Sequence, residues 1–217
     1  MSYAEPVSLA GDLVTLRVLE LRDVEGAEAA AADGRLWESR VTTVPEPGRM
    51  AAEIERRLEL HAAGKMLPFV VCSAGDGQIA GMTTYMNIDE PNRRLEIGST
   101  WLAASAQGTG VNAEAKLLLL GHAFEALGCQ AVELRTHSQN AQSRAAIERL
   151  GARLDGVLRK HMVMPDGSVR DTAVYSILDA EWPHVREGLR QRLAGRAGRA
   201  QAADGAGRVD RAAGVGA

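Results

Sequence analysis

Between Val14 and Leu19 apolar and polar residues alternate, the two-residue period of a half-buried strand. Asp23 then offers an N-cap to an Ala-rich helix that ends near Gly34. Behind Pro47, Met50, Ile54 and Leu58 recur every four residues and the pattern stops at Gly64, which predicts an amphipathic helix with a glycine stop. Its charged face, Glu53, Glu55, Arg56 and Glu59, reads as solvated. From Pro68 the period changes: Phe69 to Ser73 and Gln78 to Met86 are strand-like and flank the turn Ala74-Gly75-Asp76-Gly77. A second turn, Asp89-Glu90-Pro91-Asn92, leads into Arg94 to Leu102. Strands joined by turns this short cannot be parallel neighbours, so this part is an antiparallel meander.

The second half alternates differently. A glycine loop precedes a helix from about Ala113 to Leu127, a strand at Ala131 to Thr136, and a helix from Ala141 to Leu150 closed by Gly151. Leu154 to Met164 and Val169 to Ile177 then flank the hairpin turn Pro165-Asp166-Gly167-Ser168, before a terminal helix through Trp182 and Leu189. The sum is an α+β fold, a mixed and mostly antiparallel sheet with helices packed on it. The chain of 217 residues suits one compact domain, 1–193. After Leu193, residues 194–217 contain only Ala, Gly, Arg, Gln, Asp and Val, a low-complexity composition that predicts a disordered tail.

Composition narrows the function. Only Cys72 and Cys129 occur, read as small core residues outside any disulfide framework or metal cluster, so no metal is expected and a reducing cytoplasm is the expected compartment. No secretory leader or membrane-length apolar run is evident, so the protein is read as soluble, with no membrane partner. A net charge of −3 gives no general pull toward nucleic acid, so an anionic ligand needs a local site. The oligomeric state is not legible; a homodimer stays open.

Gln107-Gly108-Thr109-Gly110-Val111-Asn112 is that local site: it lies between a strand and a helix, where peptide N–H groups converge at the helix's positive end. Glycine lets phosphate oxygens approach the backbone and tolerates positive φ. A P-loop would need Lys-Ser or Lys-Thr after its last glycine, but Val111-Asn112 follows and Lys116 lies inside the helix. A dinucleotide fingerprint fits Gly108 to Ala113 with Glu133 downstream, yet Ala103 to Ala106 separate the glycines from the strand and a meander precedes them.

The loop resembles that of the GNAT acyltransferases, Gln/Arg-x-x-Gly-x-Gly/Ala: Gln107 and Gly110 match, and Asn112 replaces the final small residue. The family's second signature, Asn followed by Ser and Gly, matches Asn140, Ser143 and Gly151, and the order of elements agrees from about Leu13 to Asp179. Leu16-Arg17-Val18-Leu19 with Asp23, and the closing hairpin with Arg170-Asp171, look most like the RimJ/RimL branch, which acylates protein N-termini and various amines. The resemblance implies a sheet with a splayed central strand pair and acetyl-CoA as donor. It places the pyrophosphate on Gln107 to Asn112, and the pantetheine arm near Trp101, Leu102, Asn140 and Ser143.

Amine acylation by a thioester needs alignment, removal of the amine's proton and donors for the oxyanion. Glu96, mid-strand between Leu95 and Ile97, is the candidate base; the alternative is a solvated strand residue paired with Arg93 or Arg94. The family tyrosine that protonates the departing thiolate is matched here by Ile147, which leaves Ser143 as a substitute acid or as a packing and cofactor contact. His137 is a second candidate base or a loop residue. Arg159, Lys160 and His161 either meet an acidic acyl group or peptide acceptor or form a solvated face. The expected activity is acetyl transfer from acetyl-CoA to a primary amine, a protein N-terminus or a small molecule. Succinyl transfer and a silent acyl-CoA-binding module are the alternatives.

Overall fold

The structure, a computed structural model, describes residues 2–39, 42–164 and 166–212, with side chains described up to Gly198 in the last helix. In chain order the elements are β1 (Leu9–Ala10), β2 (Val14–Val18), α1 (Val24–Ala32), α2 (Met50–Ala62), β3 (Met66–Ser73), β4 (Ile79–Asp89) and β5 (Arg94–Leu102). There follow α3 (Val111–Gly121), β6 (Ala131–His137), α4 (Ala141–Leu150), β7 (Arg153–Val163), β8 (Val169–Leu178) and α5 (Trp182–Ala212). The periodicities locate these elements well. β1 escaped notice because two residues carry no period, and α3 starts at Val111 rather than Ala113 and ends in a π-helical turn, His122–Ala126. The expected tail, 194–217, falls mainly on residues outside those whose side chains are described, and the division at Leu193 remains a proposal.

The eight strands form one sheet in the order β1-β2-β3-β4-β5-β6-β8-β7. Every neighbouring pair is antiparallel except β5 and β6. The expected mixed, mostly antiparallel architecture is therefore what the chain adopts. Successive residues of β3 point to opposite faces, and both faces are covered. Phe69 and Val71 join Leu119, Leu120, Ile147 and Leu189 beneath α3, α4 and α5, whereas Val70 and Cys72 join Ala27, Ala30, Met50 and Ile54 beneath α1 and α2.

Two local readings are corrected. Asp23 does not cap α1 with its side chain; its carboxylate accepts from the Arg17 guanidinium at 2.6 and 2.8 Å and from the Glu20 amide at 2.8 Å. A charged donor pair outcompetes a helix amide for the same oxygens. Nor is Glu53 simply solvated: it accepts from Arg56 and from Arg57, and Arg57, only 4% exposed, also donates to Thr84 Oγ1 at 2.7 Å. Arg57 lies on the buried side of α2, where its long stem packs and its head is held between Glu53 and Thr84.

The centre of the sheet is pinched at a single short parallel pairing. β5 and β6 pair only at Arg94↔Ala131, Leu95↔Val132 and Glu96↔Glu133. Beyond Glu96, β5 stays with β4 as far as Leu102 while β6 stays with β8 as far as His137, so the two strands part in a V. On the β5 arm, Ser99 and Thr100 form a bulge opposite Thr83, with Ser99 at φ 47°.

Candidate functional site

The connection after β5 leads into the N-terminus of α3, where the helix's unpaired amides favour negative charge. Gln107 Nε2 donates to the Leu102 carbonyl at 2.9 Å and Thr109 Oγ1 to the Ala106 carbonyl at 2.6 Å, pinning the loop from both ends. Gly108 and Gly110 have φ 73° and 110°, conformations that favour glycine. A Cβ on Gly108 would meet no atom within 4 Å, so the demand there is conformational and the space in front of the loop is open. Gly110 is the N-cap of α3, and the amides of Gly108, Thr109 and Gly110 have no acceptor among the described residues. Glu114, 6% exposed, locks this helix end to the sheet by accepting from the amides of Asp12, Leu13 and Val14 at 3.0, 2.6 and 2.8 Å.

Three clefts meet around the V. The first, about 590 Å³, is lined by Trp101, Leu102, Gln107, Gly108, Asn112, Asn140 and Ser143 among others. Of the residues expected to hold a donor, only Gly110, Thr109 and Val111 are missing from it. Gly110 lines a second cleft of about 610 Å³ that shares Gly108 and Asn112 with the first. Thr109 turns its hydroxyl back on the loop, where it also accepts from the Val111 amide at 3.4 Å, and Val111 packs against the core, so of these two only the Thr109 amide is left without an acceptor among the described residues. Asn140 both lines the cleft and caps α4, its Oδ1 accepting from the Ser143 amide at 3.0 Å. Trp101 is a core residue, 5% exposed, and its Nε1 has no partner among the described residues.

A third cleft, about 500 Å³, opens on the other side and holds Glu96, Asn87, Arg135, His161 and Arg170. Thr42, Thr100 and Ser143 line both this cleft and the first, making one passage through the V. Glu96 is 5% exposed and is the last residue of β5 that pairs with β6. Burial raises its carboxyl above the ordinary value of 4.5, opposed by the positive charge of Arg135 and the hydrogen bond from Asn87. Both restraints act on Oε2, with Asn87 Nδ2 at 2.7 Å and Arg135 Nε at 3.3 Å; Oε1 has no donor among the described residues. The expected partners Arg93 and Arg94 are not used: Arg94 pairs with Glu133, which also receives Arg135 at 2.6 Å. Glu133 is thus committed inside the sheet.

Ser143 stands at the junction of the first and third clefts. Ile147 is 7% exposed and belongs to the core under α4, and no tyrosine lines these clefts. His137 lies outside them and accepts from the Gln139 amide at 3.1 Å, a turn contact. His161 reaches the third cleft, while Arg159 and Lys160 do not.

Sequence reasoning missed Lys116. It is 5% exposed, and its Nζ donates to Thr100 Oγ1 at 2.9 Å inside the bulge. Desolvation lowers its pKa from 10.5 to about 7. Period alone gave no signal, because a lysine one turn inside a helix reads as surface. Among the described residues, no group of three His, Cys, Asp or Glu with metal-binding geometry occurs, and no helix is long and apolar enough to cross a membrane.

Comparison with known proteins gives a consistent picture. A family profile described as the acetyltransferase (GNAT) domain matches residues 14–153. A curated Bacillus subtilis (strain 168) protein named "Putative ribosomal N-acetyltransferase YdaF" is 36% identical over 107 residues, 49% of this chain and 57% of that protein. The chain therefore aligns with little more than half the length of this relative. A crystal structure of a GCN5-related N-acetyltransferase from Brucella melitensis superposes with a TM-score of 0.75 at 31% identity, covering 86% of this chain and 85% of that one. Mycobacterium smegmatis RimJ in complex with CoA-disulfide gives 0.70 at 26% identity, covering 88% and 94%.

Proposed function

The chain belongs to the acetyltransferase (GNAT) family, and from that premise we propose that it transfers an acetyl group from acetyl-CoA to a primary amine, a protein N-terminal α-amine or a small-molecule amine. The observation that carries this reading is the passage through the V, with an anion-receiving loop at one end and a buried carboxylate with one free oxygen at the other.

The donor fits what is there. Unshared amides at Gly108 to Gly110 and the positive end of α3 suit a diphosphate, and the polar wall from Gln107 to Asn140 and Ser143 suits an amide-bearing arm. When bound, acetyl-CoA supplies a carbonyl already activated as a thioester. This chain's residues then have three tasks. The bulge at Ser99 and Thr100 leaves backbone groups of β5 outside the ladder, and an N–H there is a donor for a developing oxyanion. Glu96 Oε1 takes the amine's proton, directly or through a water; burial makes it a better base than a surface carboxylate. Ser143, between the clefts, contacts the thioester end, and the thiolate departs without help from a tyrosine.

An α-amine, with pKa near ~8, demands less of Glu96 than a lysine near ~10.4, which favours N-terminal acceptors. Assembly as a homodimer fits the exposed edge strand β7, where Leu154, Val157, Leu158 and Val163 are 42–72% exposed.

The test is thiol release from acetyl-CoA and succinyl-CoA across N-terminal peptides, free amines and aminoglycosides. Turnover with acetyl-CoA and one amine class supports the proposal. Preference for succinyl-CoA would transfer the reading to an acidic acyl group, with Arg170 as the cation in the third cleft. CoA binding with no turnover on any acceptor would leave a silent binding module.

A further inference from the structure

The second cleft contains more positive charge than a diphosphate loop needs. Arg149, in the last turn of α4, and Arg192 and Arg196, one turn apart on α5, all line it beside Gly108, Gly110 and Asn112. Among the described residues no aspartate or glutamate is in its wall, and none of the three arginines is in an ion pair. They are nonetheless held close. Arg192 Nη1 donates to the Arg149 carbonyl and Nε to the Gly188 carbonyl at 3.1 Å, and burial together with the neighbouring Arg149 charge lowers the Arg192 pKa. Arg196 lies over the phosphate loop: a Cβ on Gly110 would come within 3.6 Å of its Nε.

Like charges converging on one cleft repel unless an anion joins them, and this chain has a net charge of −3, so the cluster is not the by-product of a basic protein. Guanidinium groups match phosphate oxygens in geometry as well as charge. The loop amides account for the diphosphate of the donor. Its remaining anion is the 3′-phosphate of the ribose, a monoester that is close to doubly charged at neutral pH.

We propose that Arg149, Arg192 and Arg196 form a subsite for the ribose 3′-phosphate of the acyl donor, so that α5 is a wall of the donor site. The inference rests on the acyl-CoA reading above and adds a selectivity: donors lacking that phosphate are discriminated against, whatever their acyl group. The arginine most readily changed without harm to the fold is Arg196, which is exposed.

The experiment is isothermal titration of the full chain with CoA and with 3′-dephospho-CoA, for the wild type, Arg196→Ala and Arg192→Ala/Arg196→Ala. The wild type should bind CoA about 10- to 100-fold more tightly than dephospho-CoA. That preference should shrink in Arg196→Ala and fall to about twofold or less in the double variant, with dephospho-CoA affinity retained. Equal wild-type affinities for the two nucleotides would overturn the subsite and leave the acyl-CoA reading standing. So would an equal loss of both affinities in the variants, which would reassign the arginines to the diphosphate or to packing. Failure of the wild type to bind either nucleotide would overturn both.

Discussion

Replacing Lys116 by methionine is expected to make the protein more stable at neutral pH and to flatten its stability profile toward high pH. The lysine is buried between α3 and the sheet, and among the described residues it has no carboxylate partner and donates only to Thr100 Oγ1. Its pKa falls from 10.5 in the unfolded chain to about 7 in the folded one. Between those values the unfolded chain holds a proton that the folded chain lacks, so stability must rise with pH across the window and is lowest, with the burden constant, below pH 7. At about 1.4 kcal/mol per pH unit, the gap corresponds to about 5 kcal/mol of destabilisation at and below neutrality. Methionine keeps the unbranched length without the charge and loses one hydrogen bond worth about 1 kcal/mol. The variant should therefore be more stable by about 3–4 kcal/mol near pH 7, and the advantage should shrink by about 3 kcal/mol between pH 7.5 and 9.5. Urea denaturation of both proteins at four pH values in that range, at fixed ionic strength, measures it. Parallel stability curves, with no convergence at high pH, would refute the reasoning.

Glu96→Gln should lower kcat by about 100-fold while CoA affinity changes little, since the carboxylate faces the third cleft and not the loop. In the wild type the acid limb of the rate profile should lie above the ordinary carboxylate value of 4.5, because burial raises the Glu96 carboxyl and the base is lost as pH falls through that raised value; unchanged turnover in the variant would remove Glu96 from the chemistry. Glu114→Ala takes the acceptor from three amides and should destabilise the fold by about 3 kcal/mol or more in urea denaturation, with partial recovery in Glu114→Gln. Gly108→Ala should cost about 1–2 kcal/mol of stability from its positive φ, yet weaken CoA by more than about tenfold in titration, because the added methyl projects into the open space before the amides. Equal CoA affinity there would argue that the loop does not hold the diphosphate.

What could be read from the sequence was what is local. Alternation in Phe69 to Ser73, the four-residue spacing of Met50, Ile54 and Leu58, and Gly151 closing α4 are written in neighbouring residues, and the structure places those elements where they were expected. The glycine loop was legible for the same reason. The environment of the charged residues was not. Glu114 and Lys116 look like any polar pair near a helix start, and only the packing of α3 against β2 and β5 buries them. Glu96 takes Arg135 rather than Arg94 because the parallel register sets Glu96 beside Glu133, an alignment no turn or period announces. Arg192 and Arg196 sit at the edge of a stretch whose composition suggested no structure, so their convergence with Arg149 was hidden until α5 was seen to pass the loop.

The short run of shared hydrogen bonds between β5 and β6 has a wider consequence. Three residue pairs join a wing of five strands to a wing of three, and each wing is otherwise internally bonded. The loop belongs to the larger wing, His161 and Arg170 to the smaller, so substitutions in β7 and β8 can reshape the cleft opposite Glu96 while the loop keeps its own anchors, Gln107 and Thr109. On the proposed function, the sheet thereby separates the side that would admit an acceptor from the side that would hold a donor.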